Sequence, residues 1–267
     1  MIFVLSKDKN HYIEEYIKTH NTIFAIKIYA RFKNYIGQEI VDIWVQITDN
    51  KPVALISSSD GYVNLDVTEK CNFDEIITFL NTIGYRTLSF DSSVKQLGTS
   101  TKSGSVMKLN NYIYSHFISS SYDYEILLND YKSAYEVLKS AESDNFLIPS
   151  YEQFILDMSH KVRNKAGDIL IIFKDNIPIA TSSVVYKCEF GAVIGAVAVK
   201  KDYRHLGLGQ AIMNETVNII KKDGIKSIFL QCNNKYTENF YKSFGFTFFG
   251  NYTEILKEIK WNKIFLI

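Results

Sequence analysis

Residues Val197 to Gln210 read V-A-V-K-K-D-Y-R-H-L-G-L-G-Q, and this stretch decides the fold. Gly195 to Val199 is small, apolar and β-branched, the pattern of a buried strand. Lys200 to His205 is polar and reads as a loop. Gly207 and Gly209 then open a helix, with Leu208, Ala211, Ile212, Ile219 and Ile220 on one face at helical spacing. A strand that turns through glycines into a helix N-terminus is an anion site. The first N–H groups of the helix have no intrahelical partner, and the helix dipole favours negative charge there. Arg204 adds a positive charge beside it.

Outward from that stretch, the second half of the chain reads as alternating strands and helices. Tyr112 to Ile118 is strand-like, and Asp123 to Ser140 reads as helix. Ser150 to Asn164 is a second helix, with Ser150 and Gln153 spaced as a capping box. Asp168 to Phe173 and Pro178 to Tyr186 are strands around the turn Asp175-Asn176, followed by Val193 to Val199. Gly224 ends the glycine-loop helix as a C-terminal cap. Ser227 to Cys232 is a strand, Lys235 to Phe244 a helix, and two last strands are expected from Phe246 onward around Asn251.

The first half has a related order. Met1 to Leu5 reads as an edge strand, and two helical patterns run from His11 to His20 and from Ala25 to near Gly37. Val41 to Thr48, Val53 to Ser58 and Tyr62 to Val67 are strands, Phe73 to Asn81 a helix, and Tyr85 to Phe90 a strand. D-N-K-P-V-A at Asp49 to Ala54 matches D-N-I-P-I-A at Asp175 to Ala180, and I-G-Y-R-T-L-S-F at Ile83 to Phe90 parallels D-G-I-K-S-I-F-L at Asp223 to Leu230. Either match alone is within reach of chance, since D-N and Pro are common turn residues; the shared order of elements favours a repeat. Only the second copy has the glycine loop. Thr68, Glu69 and Lys70 stand where it would be, and Glu69 would repel phosphate. The segment Asp91 to Asn111, rich in Ser, Thr, Gly and Lys, is the expected boundary between domains 1–111 and 112–267, although Ser105 to Leu109 also reads as a last strand of the first.

Composition excludes several classes. A net charge of +1 over 267 residues gives no basis for a polyanion partner, so no nucleic acid is expected. Cys71, Cys188 and Cys232 are widely spaced, without metal-ligand spacing, and read as reduced thiols. No metal is expected. The apolar run at the N-terminus is too short for a signal peptide, and no run of roughly 18 apolar residues occurs. A cytoplasmic protein without a membrane segment is the expectation.

Arg204-x-x-Gly207-x-Gly209 after a strand resembles the coenzyme A pyrophosphate loop of the GNAT N-acetyltransferase superfamily. A second signature, Asn234-K-Y-Thr237-E-N-F-Tyr241-K-S-F-Gly245-Phe246, is similar to that family's Asn, small residue, Tyr, Gly-Phe pattern, with Thr237 where Ala is usual. The resemblance implies a mixed α/β GNAT acyl-CoA N-acyltransferase fold, here in two tandem copies, the first of them degenerate and without a coenzyme site. It implies acetyl-CoA as co-substrate, with pyrophosphate on the amides of His205, Leu206, Gly207, Leu208, Gly209 and Gln210. The pantetheine arm would pair with Val197, Ala198 and Val199, and a backbone N–H there would stabilise the oxyanion. Tyr241 would protonate the leaving thiolate; as a bare residue it also reads as a core aromatic between Phe240 and Phe244. Asn234 either contacts the coenzyme or caps its helix.

The general base is not legible. Glu189 is the nearest carboxylate and equally reads as a solvated hairpin residue, while Asp202 belongs to the loop. Tyr186, Ser182 and Ser183 are candidates for the substrate side, and Cys232 reads as a core thiol. The expected function is acetyl transfer to a primary amine, on a small molecule or a peptide, by a monomer or homodimer. The competing reading is a non-catalytic acyl-CoA-binding or sensing module. A P-loop nucleotide binder is disfavoured because G-x-x-x-x-G-K-[ST] is absent.

Overall fold

The computed structural model describes residues 1–98, 102–113, 124–143 and 146–257. The first half contains β1 (Ile2–Val4), α1 (Asn10–Thr19), α2 (Ile23–Tyr35), β2 (Asp42–Thr48), β3 (Lys51–Ser59), β4 (Tyr62–Val67), α3 (Phe73–Ile83), β5 (Thr87–Asp91) and β6 (Lys102–Leu109). The second contains β7 (Glu125–Leu128), α4 (Tyr131–Ser140), α5 (Tyr151–Arg163), β8 (Asp168–Lys174), β9 (Ile177–Cys188), β10 (Gly191–Val199), α6 (Leu208–Lys222), β11 (Ile228–Cys232), α7 (Lys235–Lys242) and β12 (Phe246–Leu256).

All twelve strands form one sheet, ordered β1-β2-β3-β4-β5-β12-β6-β11-β10-β9-β8-β7. Each half contributes an antiparallel series that ends in a parallel pair, β4 with β5 and β10 with β11. At the centre the two halves exchange strands. β6, from the first half, lies between β12 and β11; β12, from the second, lies between β5 and β6. The hydrogen-bond ladder therefore runs unbroken from one half into the other.

Alternation along the strands gives the sheet two apolar faces. One carries α1, α2, α4 and α5, packed on residues such as Leu55, Val106, Val193, Phe229 and Ile169. The other carries α3, α6 and α7, packed on Ile56, Leu88, Leu230, Ile228 and Leu170. The first of these faces is strongly hollow. Arg31 of α2 reaches both Ser57 on β3 and Tyr186 on β9, although six strands lie between them in the sheet. In a flat sheet these strands would be roughly 33 Å apart, far beyond the reach of an arginine. The sheet curls around α2, and every residue from Ile23 to Phe32 is buried.

Three local expectations change. Asp123 to Ser140 is not one helix: Glu125–Leu128 pairs with β8, Asn129 turns with φ of 62°, and the Asp130 side chain caps a helix starting at Tyr131. Phe246 onward is one strand rather than two, because a bulge between Phe248 and Gly250 absorbs the break and Asn251 stays paired with Ser105. Tyr112 and Ile113 are not in a strand, and the rest of the run to Ile118 lies outside the described residues.

The hollow face holds an acid without a fixed counter-charge. Asp66 on β4 is 4 % exposed, accepts a hydrogen bond from Thr22 Oγ1 at 2.7 Å, and has His20 Nε2 at 3.6 Å. Burial pushes its carboxyl up to about 7, against the bond from Thr22. The folded chain thus keeps a proton that the unfolded chain has already lost. Stability from this group falls as pH rises between about 4 and 7, and stays low above that. Burial lowers the pKa of His20, and that titration opposes the trend within the same window. Asp66→Asn is expected to raise the melting temperature at pH 8, by the equivalent of up to about 4 kcal/mol, and to leave it near wild type at pH 4. Melting curves of both proteins at the two pH values measure this, and equal melting at pH 8 would contradict it.

Candidate active site

The strand β10 is where the site begins. It pairs with β11 only over Ala192 to Ile194, and beyond Leu230 the two strands part. On its other side, the register with β9 shifts between Gly195 and Ala198. Ala196 sits at φ of 51°, a left-handed conformation rare for a residue with a side chain. A bulge of this kind bends its strand and leaves one residue out of the ladder. Ala196 and Val197 are thus out of register with β9 and beyond the reach of β11. Their peptide groups face a splay between two parallel strands, which suits an extended, amide-bearing ligand. Opposite the bulge on β9, Ser182 and Ser183 have buried hydroxyls without a hydrogen-bond partner among the described residues.

The loop after β10 is held to the strand end by Arg204, whose Nε donates to the carbonyl of Val199 at 3.1 Å. The rest of its guanidinium is solvent-exposed. His205 is also exposed, with φ of 63°, so its contribution is a turned backbone. Gly207 has φ of 80° and serves as N-cap of α6, where no side chain takes up the first amides. Leu208, Gly209 and Gln210 form the first turn. Leu208 is buried in one cluster with Ile212, against which Val199 packs, and this seats the first turn of α6 by the end of β10. The fifteen-residue length of α6 gives the terminus a full dipole.

Tyr241 on α7 packs against the same apolar cluster as Val197, and with Phe240 and Phe246 it forms edge-to-face ring contacts. Its hydroxyl bonds to no other described residue. Burial, then the nearby Cys232 thiol, push its pKa up, so the phenol keeps its proton at neutral pH. Asn234 caps α7: its Oδ1 accepts from the Thr237 amide at 2.9 Å. Thr237 turns its hydroxyl back onto the Asn234 carbonyl. Gly245 has φ of 89°, and a Cβ there would run into the backbone of Asn111, so this glycine permits two chain segments to cross. Phe246 is core.

Glu189 lies at the tip of the β9–β10 hairpin, about 20 Å along the strand from Gly195. Its carboxylate accepts from Tyr29 Oη at 2.7 Å and pairs with Lys33 at 3.5 Å. Burial raises its pKa, but its own backbone amide, Tyr29 and Lys33 hold it below the ordinary value. Its geometry ties it to α2 rather than to the splay. Asp202 is exposed in the loop and Cys232 is buried at the end of β11. Tyr186 is on the hollow face of β9, near the splay. The positions not expected from sequence are on α2, where Lys27 and Arg31 come within reach of Gln231 and Tyr186. Among the described residues there is no cluster of metal-ligating side chains, and no helix is long and apolar enough to cross a membrane.

The sequence model of the Acetyltransferase (GNAT) family matches residues 127–246, which contain this bulge, loop and helix. The second half of the chain is thus similar in sequence to GNAT acetyltransferases. No curated protein matches it by sequence. Among solved structures it is similar over its whole length to a tandem GNAT protein from the clavulanic acid biosynthesis pathway, with TM-score 0.62 and 10% identity, covering 95% of this chain and 97% of that one. A Drosophila protein superimposes with TM-score 0.68 at 12% identity, over 96% and 98% of the two chains. A GCN5-related N-acetyltransferase from Sphaerobacter thermophilus gives 0.60 at 12%, over 95% and 94%. At these identities the likeness establishes the fold, a tandem pair of GNAT units.

Proposed function

We propose that the chain is an acetyl-CoA-dependent N-acetyltransferase that moves an acetyl group to a primary amine by direct attack within a ternary complex. The observation that carries this reading is the convergence of three features at one end of β10: the bulge at Ala196, the splay from β11, and the uncapped N-terminus of α6. In this reading the α6 amides and Arg204 take the pyrophosphate, and the peptide groups of Val197 to Val199 take the pantetheine arm. The amine nitrogen attacks the thioester carbon, a backbone N–H of the bulge stabilises the oxyanion, the C–S bond breaks, and Tyr241 gives its proton to the thiolate. Asn234 acts through the cap it supplies to α7. No metal takes part. The acceptor is a small-molecule or peptide amine, and the protein acts in the cytoplasm as a monomer or homodimer.

In the same reading residues 1–111 are a degenerate copy without a coenzyme site, and 112–267 carry the reaction. Two differences support this. β3 and β4 pair from Ala54–Val67 to Ser59–Tyr62 without a bulge. The N-terminus of α3 is closed by its own chain: Asn72 caps the Glu75 amide, and the Glu75 carboxylate bonds the amide of Ile2 at 2.7 Å. An anion there would meet the Asn72 cap and the carboxylates of Asp74 and Glu75 in the first turn.

Steady release of free coenzyme A from acetyl-CoA on addition of amines tests the reading. Binding of acetyl-CoA with no release across a broad amine panel would leave the sensing module instead. Tyr241→Phe is expected to bind acetyl-CoA as before and to slow transfer by roughly 10²–10⁴-fold, the worth of a general acid. Turnover at the wild-type rate would make Tyr241 a packing residue.

A further inference from the structure

Helix α2 places two cations where a folded protein rarely tolerates them. Lys27 is 5 % exposed and Arg31 8 %, one turn apart on the same helix face. Among the described residues neither has a carboxylate within ion-pair distance. Lys27 Nζ donates to the amide oxygen of Gln231 at 2.5 Å. Arg31 donates to Ser57 Oγ at 3.0 Å and lies at 3.4 Å from the Tyr186 hydroxyl. Buried charges are normally paired, because an unpaired one costs far more than a polar group. The two carboxylates nearby are already engaged: Asp157 with Lys161 and Tyr35, Glu254 with Tyr62.

The floor beneath these cations is polar and incompletely satisfied. Ser57, Asn64, Ser89 and Glu254 are register partners on β3, β4, β5 and β12, all on the hollow face. The first three are fully buried. Both amide atoms of Asn64, the Ser89 hydroxyl and the Gln231 Nε2 are buried without a partner among the described residues. Such orphans are rare in a native interior and mark a place that a ligand or water completes. Burial pushes the Tyr186 hydroxyl up, yet Arg31, Lys161 and Lys27 together hold it below the ordinary phenol value, as a positive chamber would.

The chamber adjoins the splay. Gln231 is the first residue of β11 past its last pair with β10, and Tyr186 stands opposite Val193, two residues before the bulge begins to turn. We propose that this chamber receives an anionic group of the acceptor, a carboxylate or a phosphate, with Lys27 and Arg31 of the first half as its counter-ions. The acceptor is then an amine that also carries an anion, and the half without a coenzyme site supplies its recognition. This rests on the acetyltransferase reading.

The test uses the full chain and matched acceptors: amino acids against their C-terminal amides, and O-phosphoethanolamine against ethanolamine. The anionic member of at least one pair is expected to have the higher kcat/KM, by about 10²-fold, as for a site built to bond a group its analogue lacks. Which pair shows it distinguishes carboxylate from phosphate. Arg31→Gln is expected to abolish the preference through KM for the acceptor while KM for acetyl-CoA stays unchanged, and Arg31→Lys to restore part of it. Lys27→Met serves if Arg31→Gln does not fold. Equal use of neutral and anionic acceptors, or a preference that survives both variants, overturns the proposal. If no acceptor releases coenzyme A, the transfer reading fails by itself. Calorimetry with the same anionic probes then decides the chamber: binding that the variants lose sustains it, and no binding overturns it.

Discussion

Gly207→Asp is expected to abolish acetyl-CoA binding while the protein stays folded. At φ of 80° the residue is left-handed, which costs an ordinary side chain about 1–2 kcal/mol but Asp somewhat less. A carboxylate at the first turn of α6 also interacts favourably with the helix dipole, by about 0.3–1 kcal/mol. The two effects nearly offset each other, so the melting temperature should change little. The ligand meets both against it. The carboxylate competes for the amides of Leu208 to Gln210, and its charge stands beside a diphosphate. A single like charge at about 4 Å is worth about 4 kcal/mol at a protein surface, or about 10³-fold in affinity. Gly207→Asn has the same shape and no charge, and should retain most of the binding that Asp loses. Calorimetric titration of the three proteins with acetyl-CoA gives the answer. Unchanged affinity in the Asp variant would remove this loop from the site.

The strand, loop and helix of this candidate site were legible because their signals are local. A strand pattern, a polar turn, two glycines and an amphipathic helix follow one another within Gly191 to Lys222, and each is set by neighbours in sequence. The capping box at Ser150 and Gln153 was legible for the same reason. The bulge was not. Gly195 to Val199 contains nothing that distinguishes a regular strand from one with Ala196 left-handed; the bulge arises from how β10 meets β9 on one side and leaves β11 on the other. Lys27 and Arg31 were hidden for a related reason. Charges at helical spacing ordinarily mark a solvated face. Here the sheet curls around α2 and encloses both faces, which depends on partners from β3 to β9. Glu125 to Leu128 was absorbed into the following helix because four residues are too few to show a period, and only its pairing with β8 makes it a strand. The strand exchange belongs to the same class. Ser105 to Leu109 reads as a strand in sequence, but no residue in it states that its neighbours are β11 and β12.

That exchange makes a chain beginning at Tyr112 unable to fold alone, whatever its sequence identity as a GNAT unit. Such a piece lacks β6, which bonds β11 from Ser105 to Lys108 and β12 along nearly its whole length. Its loss leaves β11 with a bare edge and detaches β12, which would have no partner at all once β5 is gone as well. It also lacks α2, so Val193, Phe229 and the hollow face of β9 would lie open to water. A sheet with a bare edge strand and an uncovered apolar face aggregates. We therefore expect residues 112–267 expressed alone to be insoluble, or soluble without cooperative unfolding. Coexpressed as a separate chain with residues 1–111, the same piece should form a one-to-one complex that binds acetyl-CoA, since every missing partner is then supplied. Beginning the piece at Lys102 restores β6 but leaves α2 and β5 absent, and should not rescue it. Sedimentation and thermal melts of the three preparations measure this. A soluble, cooperatively melting 112–267 with the acetyl-CoA affinity of the full chain would show that the ladder through β6 and β12 is dispensable, and that α2 covers a face able to stand on its own.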